Sequence, residues 1–214
     1  MSVSSCRRAG HRFKGARHPL LSLAAGESTV ANDVALEGPQ KVLIISGPNA
    51  GGKTVVLKTV GLIHVMASAG LLVPCSDNST IHLYDQIFLE MGDAQNLSAN
   101  LSTFSGHIMG LKPVVEKAGP ADLVLLDELA VGTEPQTGSA IAQAVLETIA
   151  DRKASALVTT HFDSLKGLAL SREDFRNGSM EYSLTNFKPT YKLIMDVPGQ
   201  SYGIEVAQEM GCPI

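Results

Sequence analysis

The chain has 214 residues, 44% hydrophobic and 18% charged, a composition that suits one packed domain with a sizeable core and excludes a disordered chain. Its longest apolar stretch, 55–73, is broken by Lys58, Gly61 and His64 and excludes a membrane-spanning reading. The net charge of −4 is uneven: residues 1–18 carry Arg7, Arg8, Arg12, Lys14 and Arg17 and no acid, leaving 12 basic residues against 21 acids, or −9, over 19–214, which argues against a DNA-gripping surface on the main body.

In chain order, residues 1–15 read as a basic, disordered leader, with a transit peptide, a nucleic-acid arm or the ragged start of a fragment as the alternatives. Residues 16–214 read as one domain. "KVLIIS" (41–46) predicts a buried strand, and 52–69 a helix apolar almost all round and therefore buried. "IHLYDQIFLEM" (81–91) contains another strand, and 102–117 a helix capped by Ser102 or Thr103. "DLVLLDE" (122–128) is a strand ending in two acids. Pro135 suits the first turn of the next helix, whose buried face is set by Ile141, Val145 and Ile149. "ASALVTTH" (154–161) is a strand ending in a histidine, "NGSMEYSL" and "PTYKLIM" are an antiparallel pair, and 201–210 is a last helix. Short apolar runs alternating with helical patterns predict an α/β fold with a largely parallel sheet covered by helices. The three cysteines, Cys6, Cys75 and Cys212, are widely separated and form neither a disulfide framework nor a metal spacing, so a reducing cytoplasmic location is the default.

The stretch "GPNAGGKT" (Gly47, Pro48, Asn49, Ala50, Gly51, Gly52, Lys53, Thr54) fits G-x-x-x-x-G-K-[ST] between a predicted strand and a predicted helix. Glycines let successive main-chain N–H groups approach an anion, and the following helix directs its positive end at the same point. Lys53 suits the outer phosphates, and the hydroxyl of Thr54 suits Mg²⁺. The ligand expected is a polyphosphate, ATP.

An acid pair at a strand end is ordinarily just solvated. Beside such a loop, Asp127 is expected to hold Mg²⁺ through water and Glu128 to polarise an attacking water. His161, at the end of a parallel strand, is placed to bond a terminal phosphate or that water. His64 and His82 have no partners at useful spacing. Ser102, Thr103 and Ser105 of "LSTFSGH" make a second anion-friendly helix start, with simple capping as the plain alternative.

Taken together, "ARHPLL", "ND", "ISGPNAGGKTVVLKTVGL", "GDAQNLSANLSTFSGH", "LVLLDELAVGTEP", "TTHFDSLK", "NGSMEYS" and "PTYKLIMDVPGQSYGIEVAQEMG" resemble the ATPase domain of the MutS family over residues 16–211. "GGKTVVLKTVGL" and "TTHFDSLK" look like its second bacterial branch, the anti-recombination type that often carries a C-terminal Smr nuclease domain.

The resemblance implies a P-loop NTPase fold of the ABC-type ATPase class, with some antiparallel strands beside the parallel ones. It implies a homodimer through the ATPase face, in which Ser102, with Thr103 and Phe104, acts in trans on the partner's nucleotide. It places Asp127 at the metal, Glu128 at the water and His161 at the switch position. It also implies coupling of the nucleotide state to mismatched or branched DNA in repair and recombination control.

The sequence departs from the family pattern at Glu134, where aspartate is usual, and in lacking the family's DNA-clamping and nuclease domains. DNA binding by this chain is accordingly expected to be weak or absent. The rival expectation is a nucleotide-gated dimerisation module with little hydrolysis of its own. A transporter's nucleotide-binding subunit is a weaker third reading, disfavoured by "STF" and the missing LSGGQ-type glycines.

Overall fold

The computed structural model of the protein describes residues 10–91, 103–183, 185–186 and 188–199. Ser102, the expected 201–210 helix and residues 1–9 of the leader lie outside the described residues. In chain order the elements are β1 (His11–Ala16), α1 (Pro19–Ala25), β2 (Asn32–Leu36), β3 (Val42–Ser46), α2 (Lys53–Ser68), β4 (Gln86–Met91), α3 (Thr103–Lys117), β5 (Asp122–Asp127), α4 (Pro135–Asp151), β6 (Ser155–Thr159), α5 (Asp163–Lys166), α6 (Leu168–Ser171), β7 (Phe175–Ser183) and β8 (Lys188–Met195).

Six strands form one sheet in the order β4-β5-β6-β3-β7-β8. All neighbours run parallel except β7 and β8, which are antiparallel. β3, β5 and β6 are buried along their whole length, which is why their sequences are nearly continuous apolar runs. Successive side chains face opposite layers. Val42, Ile44, Val124 and Leu126 pack under α3 and α4. Leu43, Ile45, Leu123 and Leu125 pack under α2 and the antiparallel pair β1–β2.

Three expectations change. The leader does not reach residue 15, because His11, Phe13 and Ala16 are buried while Arg12 and Lys14 point outward, an alternation that makes 11–16 the strand β1. Its main chain bonds Thr80 as well as β2. The α2 helix is buried on one face rather than all round: Val56, Leu57, Val60 and Ile63 are inside, but Val55 and Val65 are 40% and 55% exposed. On α4 the innermost side chains are Ala142, Leu146, Ile149 and Ala150, with Ile141 and Val145 only partly buried at the flank.

Because β3, β5 and β6 are parallel, their carboxyl ends share one edge of the sheet. The connections that follow them meet there, as ligand-binding loops of open α/β sheets do.

Candidate functional site

The loop after β3 is shaped by glycine. Gly47 has φ 127° and Gly52 φ 96°, conformations that L residues seldom adopt. A Cβ on Gly47 would also lie 3.1 Å from the Cβ of Met180 on β7. Between them, Asn49–Gly51 form one 3₁₀ turn, closed by the Gly51 N–H donating to Pro48 O at 2.9 Å. The α2 helix starts at Lys53 without a side-chain cap and without an acid in its first turn. Its positive end is therefore left for an external anion.

Lys53 is 2% exposed, and its Nζ donates to Gly47 O at 2.8 Å. Burial pushes its amine below the ordinary lysine value, while the nearby charges of Glu128 and Asp127 act the other way. Thr54 Oγ1 donates to Asp127 Oδ2 at 2.8 Å. The other oxygen, Oδ1, accepts from Thr159 Oγ1 at 2.6 Å. Asp127 is thus brought by the end of β5 to the first turn of α2, where the sequence places it.

Glu128 is half-buried, with φ 51°, and its N–H donates to Thr159 Oγ1 at 2.8 Å. Ala130, two residues on, has φ 60°. His161 follows β6 at the same edge; its ring is exposed and packs on Phe162 with centroids 4.3 Å apart. Thr103 and Phe104 open α3, and Phe104 is half-buried. Glu134 is exposed at the N-cap of α4.

A cavity of about 490 Å³ adjoins the loop, with Gly52, Lys53 and Thr54 at one end and His18, Val30 and Tyr191 among its walls. Asn32 shapes it: its amide donates to Tyr191 O at 3.1 Å, and its Oδ1 accepts the Leu193 N–H at 2.7 Å. These bonds pin β2 to β8 at the cavity's lining. Residue-by-residue reading of the sequence assigns no role to Asn32, Tyr191 or Thr159. Thr159 carries the one available signal, a polar residue closing the buried apolar run 156–158.

Loop, lysine, threonine and strand-end acid define a class, a mostly parallel α/β domain with an uncapped helix start at the carboxyl ends of its strands and a hydroxyl and a carboxylate oxygen beside it. A match to the family described as MutS domain V covers residues 43–214, and the chain belongs to the MutS family. It is 44% identical over 195 residues to Endonuclease MutS2 of Clostridium tetani (strain Massachusetts / E88), covering 91% of this chain and 24% of that protein. It is 41% identical over 202 residues to Endonuclease MutS2 of Bacillus velezensis (94% and 25%), and 43% identical over 202 residues to that of Thermomicrobium roseum (94% and 25%). The chain spans about a quarter of the length of these relatives, whose name agrees with the second-branch resemblance of its motifs.

Proposed function

We propose that the chain is a Mg²⁺-dependent ATP-binding and ATP-hydrolysing module with the P-loop, ABC-type arrangement, working as a homodimer whose site is composite. The observation that carries this reading is the 2.8 Å bond from Thr54 to Asp127 at the uncapped start of α2. It brings a hydroxyl and a carboxylate, both hard oxygen donors, to the point where a polyphosphate would meet the helix.

The donor set fits magnesium. Among the described residues no group of three or more His, Cys, Asp or Glu side chains could hold a metal by itself. An ion here would be held by the Thr54 hydroxyl and, through water, by Asp127, with phosphate and water completing its shell, the usual pattern for Mg²⁺. When bound, Mg²⁺ would neutralise charge developing on the transferred phosphoryl group.

The chain's own residues do the rest. Main-chain N–H groups of the Gly47–Thr54 loop, other than Pro48, which has none, and Gly51, whose N–H closes the turn onto Pro48 O, bind the phosphates, and Lys53 exchanges the Gly47 carbonyl for a phosphate oxygen. Glu128 orients the attacking water and accepts its proton, and His161 senses the outer phosphate. The cavity walled by His18, Val30 and Tyr191 takes the nucleoside. Ser102, Thr103 and Phe104 act on the partner's nucleotide. Exposure of His161 in the single chain is in keeping with a site that a second copy closes.

By its family the module controls DNA repair or recombination, with nucleotide state coupled to mismatched or branched DNA in the longer proteins, in the cytoplasm. Among the described residues no helix is long and apolar enough to cross a membrane. The word endonuclease in the relatives' name belongs to those proteins.

The test is ATP turnover against protein concentration with Mg²⁺ present. Specific activity rising with concentration supports the composite site. Nucleotide binding with negligible turnover at every concentration would favour the gated dimerisation module instead.

A further inference from the structure

We propose that Thr159 is a positioning residue of this site, its single hydroxyl setting both the carboxylate of Asp127 and the main chain of Glu128. The inference rests on the Mg²⁺–ATP reading above and deepens it.

The backbone pairing of β5 with β6 ends at Leu126↔Val158. Thr159 is the next residue on β6, and its main chain still pairs with Ile45 on the other side. Where the β5–β6 ladder stops, the Thr159 side chain takes over: Oγ1 accepts the Glu128 N–H at 2.8 Å and donates to Asp127 Oδ1 at 2.6 Å. The residue has no exposed surface, so water does not compete.

The direction of these bonds is fixed by chemistry. A hydroxyl has one proton and two lone pairs; an ionised carboxylate only accepts and a main-chain N–H only donates. The proton must therefore go to Asp127 and a lone pair to Glu128. Asp127 is thereby held at both oxygens, by Thr159 on one strand and by Thr54 on α2. One donor alone would leave the carboxylate plane free to turn, since its terminal torsion is broad.

Glu128 needs the same anchor for a different reason. Its φ of 51° takes it out of the extended conformation of β5, and such backbones persist only when their surroundings hold them. The neighbouring Thr160 does something else. Its Oγ1 accepts the Phe162 N–H at 2.9 Å and shapes the turn that carries His161. The two adjacent threonines thus serve different catalytic groups.

The experiment compares the wild-type chain with Thr159→Val, which keeps the shape and removes both bonds, and Thr159→Ser, which keeps both bonds and removes the methyl. Three quantities are read: Mn²⁺ affinity of the ATP complex from the free-ion spin-resonance signal, ATP affinity in EDTA by calorimetry, and kcat with KM. Loss of a partner that orients a metal ligand costs about 10- to 100-fold in metal affinity. Thr159→Val is therefore expected to weaken Mn²⁺ by about 10-fold or more and to lower kcat further, with metal-free ATP affinity and KM nearly unchanged and Thr159→Ser close to wild type.

Wild-type Mn²⁺ affinity in Thr159→Val would overturn the proposal. So would a Thr159→Ser chain as impaired as Thr159→Val, since the methyl would then be what matters. Should Thr159→Val fail to fold, Thr159→Cys, similar in size with a weaker donor and acceptor, must show losses of the same direction, and wild-type values for it overturn the proposal. Failure of the wild-type chain to bind ATP at all, with metal or without, would instead overturn the nucleotide reading and the proposal with it.

Discussion

The amine of Lys53 reaches back across its own loop and donates to the carbonyl of Gly47 at 2.8 Å. The bond holds the end of a buried side chain, 2% exposed, against the main chain of its own loop. A phosphate oxygen is a stronger acceptor than the carbonyl it would displace. Lys53→Ala removes this cation while leaving the helix start intact. ATP affinity is expected to fall by about 10- to 100-fold, the scale of a lost charge-assisted bond to a charged partner. Calorimetric titration of the variant checks this; binding within a few-fold of wild type would remove Lys53 from the phosphate site.

Glu128→Gln keeps the size and the φ of 51° but takes away the base. Nucleotide binding is expected to persist while turnover drops by about 10²- to 10⁴-fold, the usual contribution of a positioned base. The stalled complex should accumulate as a dimer with ATP in light scattering. Unchanged turnover would show that another group handles the proton.

Gly138, in the first turns of α4, has no room for a side chain: a Cβ there would lie 2.8 Å from Ala130 O and 3.1 Å from the Phe162 ring. Ala130, with φ 60°, lies two residues after Glu128, and Phe162 follows His161. Gly138→Ala should therefore push on the segments that carry Glu128 and His161. The expected result is a loss of about 1–3 kcal/mol in stability, typical of overpacking, with reduced turnover and near-normal ATP binding. Thermal unfolding and steady-state kinetics on the same preparation check it.

His64 lies on the buried face of α2, against His11, Phe13 and Tyr84, with His82 packed on the far side of Tyr84. Its Nδ1 shares a 2.8 Å hydrogen bond with the carbonyl of Val60. Its titration is lowered to about 4, by burial first and also by His82, with the bond to Val60 acting the other way. His11 is also held below the ordinary histidine value, by burial first and then by His64 and His82.

A depressed folded value means that the unfolded chain takes the proton first as pH falls. The stabilisation is thus complete above about 6.5 and is lost towards pH 4, where it amounts to about 3 kcal/mol for His64 alone. Urea unfolding at pH 7.5 and pH 4.5 should show the loss, and His64→Leu should remove about one proton from the slope. An unchanged slope in that variant would place the proton uptake elsewhere.

The legible parts of this fold are those in which one physical requirement dominates. The β3, β5 and β6 strands are buried on both faces, so their apolar runs declare them. The loop was legible because only glycine suits the backbone at Gly47 and Gly52, and because Lys53 and Thr54 have few other reasons to follow it. The β1 strand was hidden by chemistry: its buried alternate position is a histidine, and its outward Arg12 and Lys14 dominate a reading of charge.

The face of α4 was misjudged for another reason. Ala142 and Ala150 are too small to signal burial, although they sit deeper than Ile141 and Val145. Likewise α2 is apolar all round, and only its packing against the sheet decides that Val55 and Val65 stay outside. In the site, Thr54 bonds Asp127 and Lys53 bonds Gly47 of its own loop. Thr159 and Asn32 act through bonds between distant segments, which no local pattern announces.

The most direct measurement is a calorimetric titration of ATP into the wild-type chain with and without Mg²⁺, over a range of protein concentrations. Saturable binding that strengthens with Mg²⁺ is the predicted result. No binding under either condition would contradict the assignment of the Gly47–Thr54 loop as a nucleotide site.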